Sequence, residues 1–169
     1  EGARRRRKIG QARLDLEPCF EPQSCMPSGL LGGHALNARD SCIFVTSQGL
    51  RTGLHSDERH GVLLHVSGAK SFVLIPPEDS DADPAALAQL LQLRGTPGDH
   101  ETLYGDPPHG SVPALRRVRR FQGSLRPGDG LFIPQRWLHD IESKTATISA
   151  SLRFGNWDAP NDPKFGIQQ

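Results

Sequence analysis

The chain has 169 residues, 36% hydrophobic and only 6% aromatic, with a formal net charge of +1, enough for one domain with a modest aliphatic core. The near-neutral balance excludes a protein whose global field draws it to nucleic acid, and no apolar run approaches the roughly 18 residues of a membrane span. With 18 Gly and 14 Pro, the composition fits short strands joined by turns better than helices.

Three cysteines, Cys19, Cys25 and Cys42, are odd in number and irregular in spacing, so they form no disulfide framework. The chain opens on Glu1 without a signal-peptide h-region. These features predict a piece of an intracellular protein, nuclear or cytoplasmic, that has lost its natural N-terminus and has no membrane partner.

Residues 1–40 read as an irregular basic N-terminal segment, residues 41–155 as the folded domain and residues 156–169 as a polar tail. Arg4-Arg5-Arg6-Arg7-Lys8 is a solvated basic terminus or, alternatively, a nuclear-localisation or nucleic-acid patch. Residues 14–40 are punctuated by Pro and Gly and predict a wrapping loop, with a short helix near Leu30-Leu31. Ser41–Ser47 is β-branched and apolar, a buried strand. Gly61–Val66 and Lys70–Ile75 are two further strands; the Ser67-Gly68-Ala69 turn between them predicts a β-hairpin, and Pro76-Pro77 ends it.

Pro84–Leu93 is the one clear helix, with Asp83 and Pro84 as start signals and an apolar stripe of Leu87, Leu90 and Leu91. Residues 94–114, rich in Gly, Pro and Asp, form a long loop of the kind that carries specificity. In Leu115–Phe121 four Arg separate three apolar residues, the pattern of a solvated edge strand whose charges block edge pairing. Leu125-Arg126-Pro127-Gly128 is a turn feeding the apolar strand Leu131–Pro134. Ile148–Phe154 alternates with period two. About seven short strands and a minor helix predict an all-β fold, a double-stranded β-helix or jelly roll.

The chemistry concentrates in Thr52-Gly53-Leu54-His55-Ser56-Asp57. Residues i and i+2 of an extended chain project to one face, so His55 and Asp57 offer an imidazole and a carboxylate side by side. His139, far downstream in Trp137-Leu138-His139-Asp140, is the third ligand candidate. Two His and one carboxylate with open positions suit a non-haem Fe(II) centre. A surface His beside a solvated Asp is the bland alternative. Lys70, a cation in an aliphatic strand, needs a partner because a buried unpaired charge is costly; its alternative is a head in solvent.

Three blocks, Thr52–Asp57, Ser67–Pro77 and Leu125–Pro134 with Trp137 and His139, occur in an order that resembles the cupin-like JmjC proteins, over roughly residues 41–155. The resemblance implies a jelly roll and a dioxygenase that uses Fe(II), O2 and the cosubstrate 2-oxoglutarate. It implies that His55, Asp57 and His139 ligate the iron and that Lys70 and Thr52 hold the distal carboxylate of 2-oxoglutarate. Asp140 and Ser149 are candidates for orienting the His ligands. The pattern departs at Gly61, where many relatives carry an Asn that helps hold 2-oxoglutarate; His60 and Ser151 are the candidate replacements. The family's upstream Tyr has no counterpart. A protein side chain is the implied substrate, for hydroxylation or hydroxylation-driven demethylation, with RNA open through the Arg clusters. A catalytically inactive cupin-like binding module and a metal-dependent isomerase that would not need Lys70 are the competing readings.

Overall fold

The computed structural model describes residues 11–15, 36–77, 103–104 and 118–155. Eight strands follow in order: β1 (Gln11–Asp15), β2 (Leu36–Thr46), β3 (His60–Ser67), β4 (Lys70–Ile75), β5 (Phe121–Leu125), β6 (Gly130–Ile133), β7 (Leu138–Ser143) and β8 (Thr147–Phe154). They form two antiparallel sheets, one with the order β1-β2-β8-β3-β6 and one with the order β5-β4-β7. This is the cupin-like jelly roll. No helix among the described residues is long and apolar enough to cross a membrane.

The chain changes sheet between β3 and β4 and at every step from β5 to β8, and this corrects one expectation. Ser67-Gly68-Ala69 does not close a hairpin: β3 pairs with β6 and β8, whereas β4 pairs with β5 and β7. The turn carries the chain from one sheet to the other. Gly68, at φ 86°, lies so close to the β7–β8 turn that a Cβ would stand 2.2 Å from the Ala146 carbonyl oxygen. The Arg126–Asp129 turn makes the same crossing from β5 to β6, closed by Asp129 N–H donating to Arg126 O at 3.0 Å and Arg126 N–H to Asp129 Oδ2 at 2.7 Å.

Strand parity sorts the side chains. Leu74 of β4 meets Leu63 of β3 and Leu131 and Ile133 of β6 in the core between the sheets. Val73 and Ile75 point the other way and pack with Leu54, Leu103 and Leu138, so β4 is covered on both faces. Lys70 has the parity of Leu74 and therefore points into the space between the sheets. On β8, Thr147, Ser149 and Ser151 are all buried; together with Arg153 they give the interior of the larger sheet a polar stripe.

Other expectations shift at the boundaries. Strands β1 and the start of β2 occupy part of the segment read as irregular. The basic run read as an edge strand ends where β5 begins, at Phe121. The helix at 84–93, the short helix near Leu30-Leu31, the Arg4–Lys8 cluster, most of the 94–114 loop and the 156–169 tail lie outside the described residues.

Candidate metal centre and cosubstrate cavity

Gly49 to His55 runs along the free edge of β7. Gly49 N–H donates to Ser143 O at 2.7 Å and Thr52 N–H to Ile141 O at 3.1 Å. At the end of this ladder His55 and His139 exchange both backbone hydrogen bonds, at 3.1 and 2.7 Å. Residues so paired stand directly opposite with side chains on one face, and the two imidazoles lie with centroids 4.2 Å apart. Asp57 follows two residues on. Its carbonyl accepts from Arg136 N–H at 2.9 Å, and Arg136 holds a left-handed backbone, φ 66°, that turns the chain into β7. One ligand atom from each of His55, Asp57 and His139 lies within 4.8 Å of the others.

The histidines are held in the tautomer that metal ligation requires. His55 Nδ1–H donates to Gly53 O at 2.8 Å and His139 Nδ1–H to Trp137 O at 3.0 Å. A carbonyl only accepts, so each Nδ1 carries a proton and each Nε2 is the ring nitrogen left to face a metal. Burial first, and then the neighbouring His139, lowers the His55 pKa, which favours the neutral ligand form. Burial pushes the Asp57 carboxyl up, but the His139 hydrogen bond and the Arg153 and histidine charges outweigh it and hold the group well below the usual carboxylate range. An ionised carboxylate and two imidazoles, both rings fixed through Nδ1, fit a divalent first-row metal.

A cavity between the sheets opens beside these groups, and Thr52, Lys70, Ile141, Ser143 and Ile133 are among its lining. Lys70 is 5% exposed, which rules out a head in solvent. Its Nζ donates to Ser143 Oγ at 3.1 Å, and burial lowers its pKa to about 8. Ser143 belongs to a hydroxyl cluster, 2.7 Å from Thr46 Oγ1, which lies 2.5 Å from Thr147 Oγ1. An ammonium and three hydroxyls thus form one polar patch of a largely apolar cavity, suited to a carboxylate. Thr52 Oγ1 also lines the cavity and accepts Ile141 N–H at 3.0 Å, which leaves its hydroxyl proton free to donate.

The other sequence candidates divide. Ser151 lines the cavity. His60 does not serve there: one residue out of step with Gly61, it lies on the outer face, stacks on Phe132 and accepts Gln135 N–H at 3.0 Å. Asp140 and Ser149 do not orient the His ligands. Asp140 faces the reverse side of β7 in an ion pair with Arg51, their side chains 0% and 7% exposed, and Ser149 Oγ bonds His65 Nδ1 at 3.0 Å. The orienting groups are backbone carbonyls, which no side-chain pattern reveals. Tyr104 also packs on that reverse side, its hydroxyl donating to Asp140 O at 3.1 Å.

Sequence reading missed the Thr46–Ser143–Thr147 cluster and, above all, Arg153, whose guanidinium pairs with the Asp57 carboxylate. The only signal for Arg153 was the absence of a side chain at Gly61. The strand register that brings the two together is not visible in the sequence.

Comparison with known proteins agrees with this architecture. A family model described as a cupin-like domain matches residues 19–162. Human tRNA wybutosine-synthesizing protein 5 is 34% identical over 109 residues, covering 64% of this chain and 31% of the relative. Drosophila melanogaster Jumonji C domain-containing protein 5 is 30% identical over 103 residues, 59% of this chain and 23% of the relative. Bos taurus HSPB1-associated protein 1 is 28% identical over 113 residues, 63% of this chain and 22% of the relative. The matched region thus spans about a third or less of these curated relatives.

Proposed function

The chain belongs to the JmjC/cupin-like family, and from that premise we propose that it is an Fe(II)- and 2-oxoglutarate-dependent dioxygenase that hydroxylates a macromolecular substrate. The observation that carries this reading is the convergence of His55, Asp57 and His139 within 4.8 Å, with both imidazole Nδ1 atoms already committed to carbonyls. Three protein ligands would leave positions open for cosubstrate and oxygen.

His55, Asp57 and His139 would hold the iron. When bound, the metal couples oxidative decarboxylation of 2-oxoglutarate, to succinate and carbon dioxide, to insertion of the second oxygen atom into a substrate C–H bond. The chain's own task is to bind, orient and exclude water. Lys70 and Thr52 would take the distal carboxylate against the hydroxyl cluster, and Leu63, Ile133 and Ile141 would keep the cosubstrate's carbon chain dry. The buried Lys70 supports this over an isomerase, which has no use for a cation at that depth.

A protein side chain is the substrate class we favour. The name of the human relative keeps tRNA in view, and the Arg4–Lys8 and Arg116–Arg120 clusters are the residues that would contact it. The test is succinate release from 2-oxoglutarate with Fe(II), compared between the wild type and His55→Ala. Metal-dependent release that the substitution abolishes is expected. A wild-type chain that binds neither iron nor 2-oxoglutarate would establish a cupin-like binding module instead.

A further inference from the structure

Gly61 on β3 and Arg153 on β8 stand directly opposite in the strand register, both on the interior face. A Cβ at position 61 would lie 2.7 Å from an Arg153 Nη atom. The arginine side chain therefore lies flat across the glycine backbone, in the volume any larger residue would fill. From there its guanidinium reaches the Asp57 carboxylate.

Arg153 lines two cavities at once. One is the inter-sheet cavity shared with Lys70, Thr52, His55 and His139. The other is a polar cleft bounded by Ser56, Asp57, Glu58 and Arg59. The first has two strong cations in its lining, Lys70 and Arg153, and no carboxylate among its lining residues. Asp57 answers the charge of Arg153 from the cleft side, and the charge of Lys70 favours an anionic ligand. A guanidinium has five donors in a planar fork, so one engaged with Asp57 retains donors for a second carboxylate, which it binds in bidentate fashion where geometry allows.

We propose that Arg153, in the space cleared by Gly61, is the cosubstrate's second anchor: it grips the carboxylate next to the 2-oxo group, while Lys70 grips the distal one. This rests on the dioxygenase reading and deepens it. A carboxylate brought to the metal beside Asp57 meets the same guanidinium, so Arg153 orients the reacting end of the 2-oxoacid and steadies Asp57 together. Gly61 and Arg153 then act as one unit, a missing side chain and the long one that fills its place.

The experiment measures binding without turnover, by calorimetry on the Mn(II)-loaded chain. The two ligands are 2-oxoglutarate and 2-oxobutyrate, which keeps the 2-oxoacid end and lacks the distal carboxylate. Arg153→Met is expected to weaken both ligands by about tenfold or more, the scale of a lost charge-assisted hydrogen bond. Lys70→Met weakens 2-oxoglutarate alone. Mn(II) affinity of Arg153→Met is measured beside it, and every 2-oxoacid titration is run with the metal site saturated. Gly61→Ala retains the arginine but displaces its flexible end, and it lowers the affinity for both ligands while leaving the melting profile cooperative; Arg153→Lys recovers part of the loss.

Wild-type affinity for 2-oxobutyrate in both Arg153→Met and Gly61→Ala would overturn the proposal while leaving the dioxygenase reading intact. A loss confined to Mn(II) would also overturn it, reducing Arg153 to a positioning residue for Asp57. A wild-type chain that binds Mn(II) but neither 2-oxoacid would overturn both.

Discussion

Replacing Lys70 by Met separates function from stability with opposite signs. Burial lowers the Lys70 pKa from the ordinary 10.5 to about 8, so the folded protein binds this proton less tightly than the unfolded chain. Between pH 8 and 10.5 the unfolded state holds more protons, and stability rises with pH across that window. Below pH 8 the full cost of burying the charge is present. At about 1.4 kcal/mol per pH unit it amounts to about 3 kcal/mol, with little discount for solvent at 5% exposure. Loss of the Ser143 hydrogen bond returns about 1 kcal/mol. Lys70→Met should therefore be more stable than wild type at pH 7 by about 2 kcal/mol, and melt about 4–8 °C higher.

Thermal unfolding of the metal- and ligand-free chain from pH 7 to 10 is the assay. The gap between the proteins should narrow above pH 8. With Mn(II) and 2-oxoglutarate at 100 times the wild-type Kd the gap should shrink, because wild type gains about 2.7 kcal/mol from the ligand and the weakened variant gains less. A variant less stable than wild type at pH 7, by an amount that does not change with pH, would refute the reasoning.

The same lysine predicts that 2-oxoglutarate affinity of the Mn(II)-loaded chain falls by up to about tenfold per pH unit above pH 8, while 2-oxobutyrate affinity shows no such step; calorimetry across pH checks this. Asp140→Ala should cost about 3–5 kcal/mol, because it removes one partner of a buried ion pair; urea denaturation measures it. Gly68→Ala should cost at least about 2 kcal/mol, since φ is 86° and the Cβ meets the Ala146 carbonyl at 2.2 Å, and a melting curve reads it. Trp137→Phe keeps the backbone carbonyl that orients His139 and should leave Mn(II) affinity within about twofold of wild type.

What the sequence disclosed follows from physical range. The strand faces were legible because period-two alternation is local, and His55 with Asp57 because two residues suffice to put both on one side. The Ser67–Ala69 turn misled because a glycine turn between apolar strands looks alike whether the second strand returns to the same sheet or crosses to the opposite one. Lys70 stood out by contrast with its aliphatic neighbours. The hydroxyls that surround it did not, because Thr46, Ser143 and Thr147 come from three strands and are individually ordinary. Asp140 was misassigned because adjacency to His139 in a strand means the opposite face. Arg153 was hidden for the same reason that Gly61 was puzzling: each makes sense only once the β3–β8 register sets them opposite one another.

The most direct test of the metal centre is the visible absorption of the chain with Fe(II) and 2-oxoglutarate under anaerobic conditions. Chelation of iron by the 2-oxoacid produces a charge-transfer band that neither component gives alone. One equivalent of iron should produce it, and His55→Ala, Asp57→Ala and His139→Ala should each abolish it while remaining folded. A band that persists unchanged in His139→Ala would contradict the account.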